Sequence, residues 1–341
     1  MFGGDKNPIQ VQAQPPGLEA SPPPPLVLIH DGGGTTFSYF MLGKLNRAVW
    51  AIENPEYSSG KAWAGGVDEM AHRYIDVIIE AGIRGAIILG GWSFAGYVSL
   101  TMAHILARDP RGDLLHVAGF LMIDVPYFTP RPQLTVSTSE PEIEGIPDLV
   151  RTAFENVDDM MERWEKPRWD GPAAAVVGRG EGKLQVAGQV LAMPPPEGIL
   201  HRPLGGTSWT TSHRQNGQPP TLEVTNPIIP PPGVMIRCAQ PLPVTKQCPS
   251  TPARLDVHRD DVSLGWDGNY TDFLQAVIDV DADHYNVFDM CDVEKMENLT
   301  AQLITGLEIL DGLDVFSLSS DDANHSSAPS HASPGSMPAH L

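Results

Sequence analysis

The heptapeptide Gly90-Gly91-Trp92-Ser93-Phe94-Ala95-Gly96 has the residue types of a nucleophile elbow. An apolar run, GAIILG, leads into it and a helical period follows. The serine would then sit on a strand-to-helix turn that lifts its hydroxyl above a sheet. Strand and helix approach closely at such a turn, so the residues two before and two after the serine must be small. Gly91 and Ala95 meet that need, although Ala95 breaks the strict G-x-S-x-G pattern. A methyl fits there if residue 95 has the negative φ of a first helical turn. An ordinary glycine-rich turn reads the same way, so the heptapeptide needs partners. His30-Asp31-Gly32-Gly33-Gly34 closes a second apolar run. An N–H of this loop and that of Phe94 would form an oxyanion hole. A phosphate loop is the alternative, weakened because no Lys-Ser/Thr pair follows and the glycines do not fit G-x-G-x-x-G. His30 reads as a loop-orienting residue rather than a base.

An acid and a base complete the set. Asp124 ends the run AGFLMID, 31 residues after Ser93. It lies at the carboxyl end of a strand, the edge where open α/β sheets bind ligands. Asp256, Asp260 and Asp261 compete, because they follow a later strand where many hydrolases of this architecture carry their acid. His284, within DHYNVF, lies between the last strand and the last helix and could take a serine proton through Nε2. The order Ser93, Asp124, His284 is that of serine hydrolases built on such sheets.

Short apolar runs bounded by glycine or polar residues predict buried parallel strands at 26–30, 48–52, 85–90, 118–124, 234–240 and 276–280. Helical periods predict helices over about 68–81, with Gly82 as its stop, and over 96–108, 147–164 and 294–310. Strands alternating with helices imply an α/β chain with a mostly parallel sheet.

Composition supplies the exclusions. The 341 residues carry 22 Lys and Arg against 42 Asp and Glu, a net charge of −20. A chain this acidic, with no basic stripe, is a poor binder of nucleic acid or anionic membrane. It has no apolar run long enough to span a bilayer and no secretory signal at its start. Cys238, Cys248 and Cys291 form neither a disulfide framework nor a metal motif, so a reducing, cytoplasmic setting is expected, with no cofactor and no metal. Residues 1–25, ending in four prolines, read as a flexible leader. The stretch 166–250 holds 15 prolines, and 171–250 holds six Lys and Arg against three Glu. Residues 131–232 therefore read as a lid or irregular insertion, weakly ordered apart from the helix near 147–164. Part of 170–232 reads alternatively as an untypical insertion or an error of gene prediction. Residues 313–341 are expected to be a disordered tail.

Together, LVLIHDGGGTTFSYFMLGKL, GGWSFAG, LMIDVPY and DHYNVF resemble the thioesterase domains of polyketide and non-ribosomal peptide synthases, in the form met in fungal secondary metabolism. The resemblance spans about 26–165 and 233–310. It implies an α/β-hydrolase fold, helices on both faces of the sheet and a lid insertion. It also implies a catalytic set of Ser93, Asp124 and His284, with Asp124 and not Asp256 as the acid. Phe94 with Gly32 or Gly33 would bind the oxyanion. The implied partner is an acyl carrier domain that presents the chain on phosphopantetheine, released by hydrolysis or cyclisation. Ala95 and the proline-rich stretch depart from the family pattern. A carboxylesterase or lipase acting on free esters, and a non-catalytic partner of a synthase, are the rival functions.

Overall fold

The computed structural model describes residues 6–18, 20–139, 143, 145–173, 175–177, 183–192, 198–206, 208–214, 227–243 and 251–315. The chain runs β1 (Ile9–Gln12), β2 (Leu26–Ile29), β3 (Val49–Ile52), α1 (Gly66–Glu80), β4 (Gly85–Trp92), α2 (Ala95–Leu106), β5 (Leu115–Ile123) and α3 (Asp148–Glu162). Five short strands follow: β6 (Ala175–Val177), β7 (Lys183–Val186), β8 (Gln189–Ala192), β9 (Gly198–Arg202) and β10 (Thr210–His213). The last elements are β11 (Gly233–Cys238), β12 (Leu274–Val280), α4 (Val293–Gly312) and β13 (Leu313–Val315).

A nine-stranded sheet, in the order β1-β3-β2-β4-β5-β11-β12-β9-β10, carries the core. All neighbours from β3 to β9 are parallel, and β1 and β10 add antiparallel edges. Both faces are covered, which is why the strands read as continuous apolar runs. Val27 and Ile29 pack with Met70, Tyr74 and Ile78 of α1 and with Val98 and Met102 of α2. Leu26 and Leu28 point to the other face, which α4 covers with Leu299, Leu303, Leu307 and Leu310. Burying each of these leucines contributes about 2 kcal/mol. Gly82 ends α1 with φ 79, and Glu69 Oε2 accepts from the Gly65 N–H (2.7 Å) at its start. A mostly parallel sheet sandwiched by helices, with the chain turning from β4 into α2 at its middle, is the α/β-hydrolase fold.

Three expectations need correction. The leader is not wholly flexible, because Ile9–Gln12 pairs with β3. The open edge of β3 offers unpaired backbone groups, and an alternating polar segment can satisfy them without a core of its own. The tail begins later than 313, because β13 pairs antiparallel with β6; the rest of the tail lies outside the described residues. The proline-rich insertion also contains more than a helix. β7 and β8 form a hairpin, and β9 extends the main sheet alongside β12. Prolines flank GILHR rather than interrupt it, so its ladder is intact. Of the insertion expected to be weakly ordered, 131–232, residues 140–142, 144, 174, 178–182, 193–197, 207 and 215–226 lie outside the described residues. β5 and β11 are parallel neighbours although the whole insertion separates them in the chain. No helix among the described residues is long and apolar enough to cross a membrane.

Candidate active site

Ser93 stands between β4 and α2 with φ 57, a left-handed conformation that a side chain rarely adopts. Its N–H donates to the Ile123 carbonyl (3.0 Å), which ties the turn to β5. Gly91 is obligatory at this turn. It has φ 137, and an added Cβ would lie 2.6 Å from the Ala95 Cβ and from the Ile29 carbonyl. The methyl of Ala95 thus uses the space that Gly91 leaves empty. Residue 95 is the first residue of α2, as its tolerance of a methyl requires.

Asp124 follows β5 directly and also has positive φ, 45. Its side chain is fully buried and accepts four hydrogen bonds. Oδ1 accepts from the Cys238 N–H (2.9 Å) and from Arg259 Nη1 (2.6 Å). Oδ2 accepts from Arg259 Nη2 (3.0 Å) and faces His284 Nδ1 at 2.7 Å. Burial pushes the carboxyl up, but the His284 hydrogen bond and the Arg259 charge outweigh it and hold the pKa down at about 2. Asp124 is therefore ionised at any ordinary pH.

His284 sits on the turn after β12, in a loop organised by its neighbour. Asp283 Oδ1 accepts from the N–H groups of Tyr285 (2.9 Å) and Asn286 (3.1 Å), and Oδ2 accepts from Asn286 Nδ2 (2.6 Å). Such a self-bonded Asx turn needs no secondary structure to hold its shape. The imidazole is 2 % exposed and packs beside Trp92, with ring centroids 5.5 Å apart. Its Nε2 lies 2.9 Å from Ser93 Oγ. With the proton on Nδ1, His284 donates to Asp124, and Nε2 is free to accept from the serine hydroxyl.

The rival acids take other posts. Asp256 bonds Arg259 Nε (2.9 Å) and the Leu242 N–H (2.7 Å). Asp261 caps a turn through the N–H groups of Ser263 and Gly265. Asp260 is exposed. None of the three touches His284 through a hydrogen bond. Arg259, 135 residues from Asp124, is the residue that reading the sequence missed. Nothing in its local pattern marks it. Tyr39 was missed as well; its hydroxyl donates to the Ile29 carbonyl (2.7 Å) and accepts from the Trp92 N–H (3.0 Å), joining the ends of β2 and β4.

The glycine loop separates its two candidates. Gly32 lines the cavity together with Ser93 and Phe94. The Gly33 N–H donates to Asp31 Oδ1 at 2.8 Å. The Phe94 N–H opens α2, where first-turn N–H groups lack an intrahelical acceptor. His30 orients the loop: Nδ1 meets the Asp31 carbonyl and Nε2 the Tyr74 hydroxyl, both at 2.6 Å. Burial lowers its pKa to about 4, against that carbonyl's pull upward, so the ring is neutral. Burial raises Asp31 to about 6, against the N–H groups of Gly33, Thr35 and Gly34 and the charge of His284.

Above Ser93 lies a cavity of about 620 Å³. α3 supplies one wall through Phe154, Val157 and Met161, and Tyr127, Phe128 and Leu255 supply others. Charged groups, among them Arg151, Asp158 and Arg254, border the apolar lining.

A family model described as a thioesterase domain matches residues 24–166. Over 318 residues the chain is 41 % identical to the probable thioesterase lcsE of Purpureocillium lilacinum, covering 89 % of this chain and 97 % of that protein. The chain belongs to the thioesterase family. It is also 41 % identical over 292 residues to the probable thioesterase KK1J of Curvularia clavata, covering 85 % of this chain and 91 % of that one. A third similarity, 33 % over 173 residues, is to the nonribosomal peptide synthetase imqB of Aspergillus flavus; it covers 48 % of this thioesterase and 5 % of the synthetase. Family membership sets the class of enzyme, a hydrolase acting on thioesters.

Proposed function

We propose that this thioesterase releases an acyl chain from a carrier-protein thioester through a seryl acyl-enzyme. The observation that carries this reading is the continuous hydrogen-bond line from Ser93 Oγ through His284 to Asp124, 2.9 and 2.7 Å, at the floor of an apolar cavity. Ser93 Oγ attacks the thioester carbonyl carbon, and its proton passes to His284 Nε2. Asp124 holds the imidazole in the required tautomer and stabilises its charged form. The N–H groups of Phe94 and Gly32 receive the developing oxyanion. The C–S bond then breaks, and the departing thiol takes the proton from His284. Water, or a hydroxyl or amine of the chain itself, attacks the ester in the reverse proton sequence and frees Ser93.

The donor in this reading is phosphopantetheine on the carrier domain of a polyketide or peptide synthase. The similarity to a segment of a peptide synthetase supports it. The segment carrying α3 acts as the lid, and its apolar inner face holds the acyl chain. Free Cys238 and Cys291 suit a reducing cytoplasm.

A fluorophosphonate probe tests the nucleophile. Wild-type protein is expected to be labelled on Ser93, and Ser93→Ala to lose labelling while keeping its melting temperature. Turnover of an acyl-pantetheine thioester should exceed that of the matching oxyester. Labelling elsewhere, or none in folded wild type, overturns the reading; faster oxyester turnover makes the protein an esterase.

A further inference from the structure

The hydrogen-bond line does not stop at Asp124. Both oxygens of Asp124 are gripped by one guanidinium, Arg259 Nη1 to Oδ1 and Nη2 to Oδ2. Arg259 is itself 6 % exposed. Nη1 also donates to the Cys238 carbonyl (2.8 Å), and Nε donates to Asp256 (2.9 Å). Two planar groups meeting in this fork have a fixed mutual orientation, which a lysine could not impose. The fork leaves Oδ2 a single direction in which to accept another proton, toward His284 Nδ1.

We propose that Arg259 is a positioning residue of the acyl-transfer site: acting through Asp124, it aims the carboxylate at His284 and tempers its charge, while Asp256 anchors the guanidinium and offsets it. The proposal rests on the seryl mechanism above. It also explains how an acid can sit this deep. The guanidinium compensates the buried carboxylate, so Asp124 stays ionised without a water path. Burial works against the charge of Arg259, but the Asp124 and Asp256 carboxylates hold its pKa up.

Other charged or titratable groups border this pair, among them Arg254 and His258, which share the segment of Arg259 and line the cavity with His284. Asp31 of the glycine loop acts on His284, and Asp283 bonds its own turn. Cys238 of β11 is neutral, because burial pushes its thiol well up. Tyr97 of α2 donates its hydroxyl to the Pro126 carbonyl (2.6 Å). None of them hydrogen-bonds Arg259 through a side chain. Arg259 is thus the cation that most directly opposes protonation of His284, and Asp256 is the anion that most directly opposes Arg259.

The two residues should therefore move the pH dependence of the site in opposite directions. A unit charge held one carboxylate away from the imidazole, at an effective dielectric of about 20, shifts a titration by roughly one to two pH units. The rate of fluorophosphonate labelling, measured from pH 5 to 9, reads the fraction of protein with a competent base. Arg259→Gln should raise the midpoint of that profile by about one to two units, and Asp256→Asn should lower it by about half to one unit. Arg259→Lys keeps the charge and loses the fork. Its midpoint should return to within about half a unit of wild type, with a plateau rate about tenfold lower. Melting temperatures identify any variant that fails to fold; if Arg259→Gln is lost, the downward midpoint of Asp256→Asn and the lowered plateau of Arg259→Lys carry the test, and if Asp256→Asn is lost, the upward midpoint of Arg259→Gln against the near-wild-type midpoint of Arg259→Lys carries it. Midpoints that stay at the wild-type value, or that move the same way in Arg259→Gln and Asp256→Asn, overturn the proposal and leave Arg259 a purely structural ion pair. Wild-type protein that is folded but not labelled would instead remove the seryl mechanism, and this proposal with it.

Discussion

Replacing Asp124 by asparagine exchanges one oxygen for an NH₂ group and removes one charge. The site has no orientation that accepts the change. If the amide nitrogen takes the Oδ1 position, it meets two donors, the Cys238 N–H and Arg259 Nη1. If it takes the Oδ2 position, it meets Arg259 Nη2 and turns its hydrogens on His284 Nδ1. The second arrangement loses fewer bonds. It forces the histidine proton onto Nε2, where it faces Ser93 and cannot accept. Loss of the correct tautomer costs about 10⁴-fold in rate, about 5.5 kcal/mol of transition-state stabilisation. Stability falls as well. Removing one partner of a buried ion pair costs about 3–5 kcal/mol, and the low end applies because Asp256 still faces Arg259. At about 2–4 °C per kcal/mol for a domain of this size, the melting temperature drops by roughly 6–12 °C. A second signature follows from linkage. The depressed pKa of Asp124 contributes stability that is present above about pH 4 and lost as pH falls through about 2. The variant lacks that contribution at every pH, so its deficit against wild type shrinks in acid. The assay is labelling rate and turnover at a temperature where the variant is folded, with thermal unfolding between pH 3 and 8. Retention of more than a tenth of wild-type activity would refute the tautomer argument. So would the reverse ranking, in which Asp256→Asn is the inactive variant.

Two further outcomes test the surroundings of the site. Gly91→Ala places a methyl 2.6 Å from the Ala95 Cβ and 2.7 Å from the Tyr39 hydroxyl, at φ 137, and should cost about 3 kcal/mol or more or abolish soluble expression; an unchanged melting temperature would contradict the close approach of β4 and α2. Asp31 has a folded pKa raised to about 6, so the native state keeps a proton that the unfolded chain releases near pH 4, and stability falls as pH rises through that window. Asp31→Asn keeps an acceptor for the Gly33 N–H and removes this loss. Its melting temperature should exceed that of wild type at pH 7.5 by a few degrees and match it at pH 4, and equal gains at both values would show that ionisation of Asp31 is not the cause.

How much was legible in the chain depended on the range over which each signal acts. The elbow heptapeptide, the glycine loop and the self-capped turn around His284 are local objects. Their small residues and strand ends lie within a few positions of one another, so spacing marks them as candidates and their order along the chain supports them together; the Asx bonds around His284 appear only in the structure. The parallel strands were legible because a sheet buried on both faces leaves an unbroken apolar run. Ile9–Gln12, Gly198–Arg202 and Leu313–Val315 were not, because each forms by completing an edge that another strand leaves open. An edge segment needs backbone groups and an available neighbour more than any residue pattern.

The choice of acid shows the same division. The residues alone placed a carboxylate at the carboxyl end of the sheet near Ser93, with Asp256, Asp260 and Asp261 competing with Asp124, and the family resemblance favoured Asp124. Only the tertiary structure shows which of these carboxylates meets His284. It set β11 beside β5, which brings the Cys238 N–H and the 254–259 segment onto Asp124. One contender then faces His284, and another anchors the arginine behind it. The physical reason is that a carboxylate's role depends on which donors reach it across long sequence separations, here 114, 135 and 160 residues. Which groups meet across those separations is set by strand order and packing, which no local pattern of residues encodes.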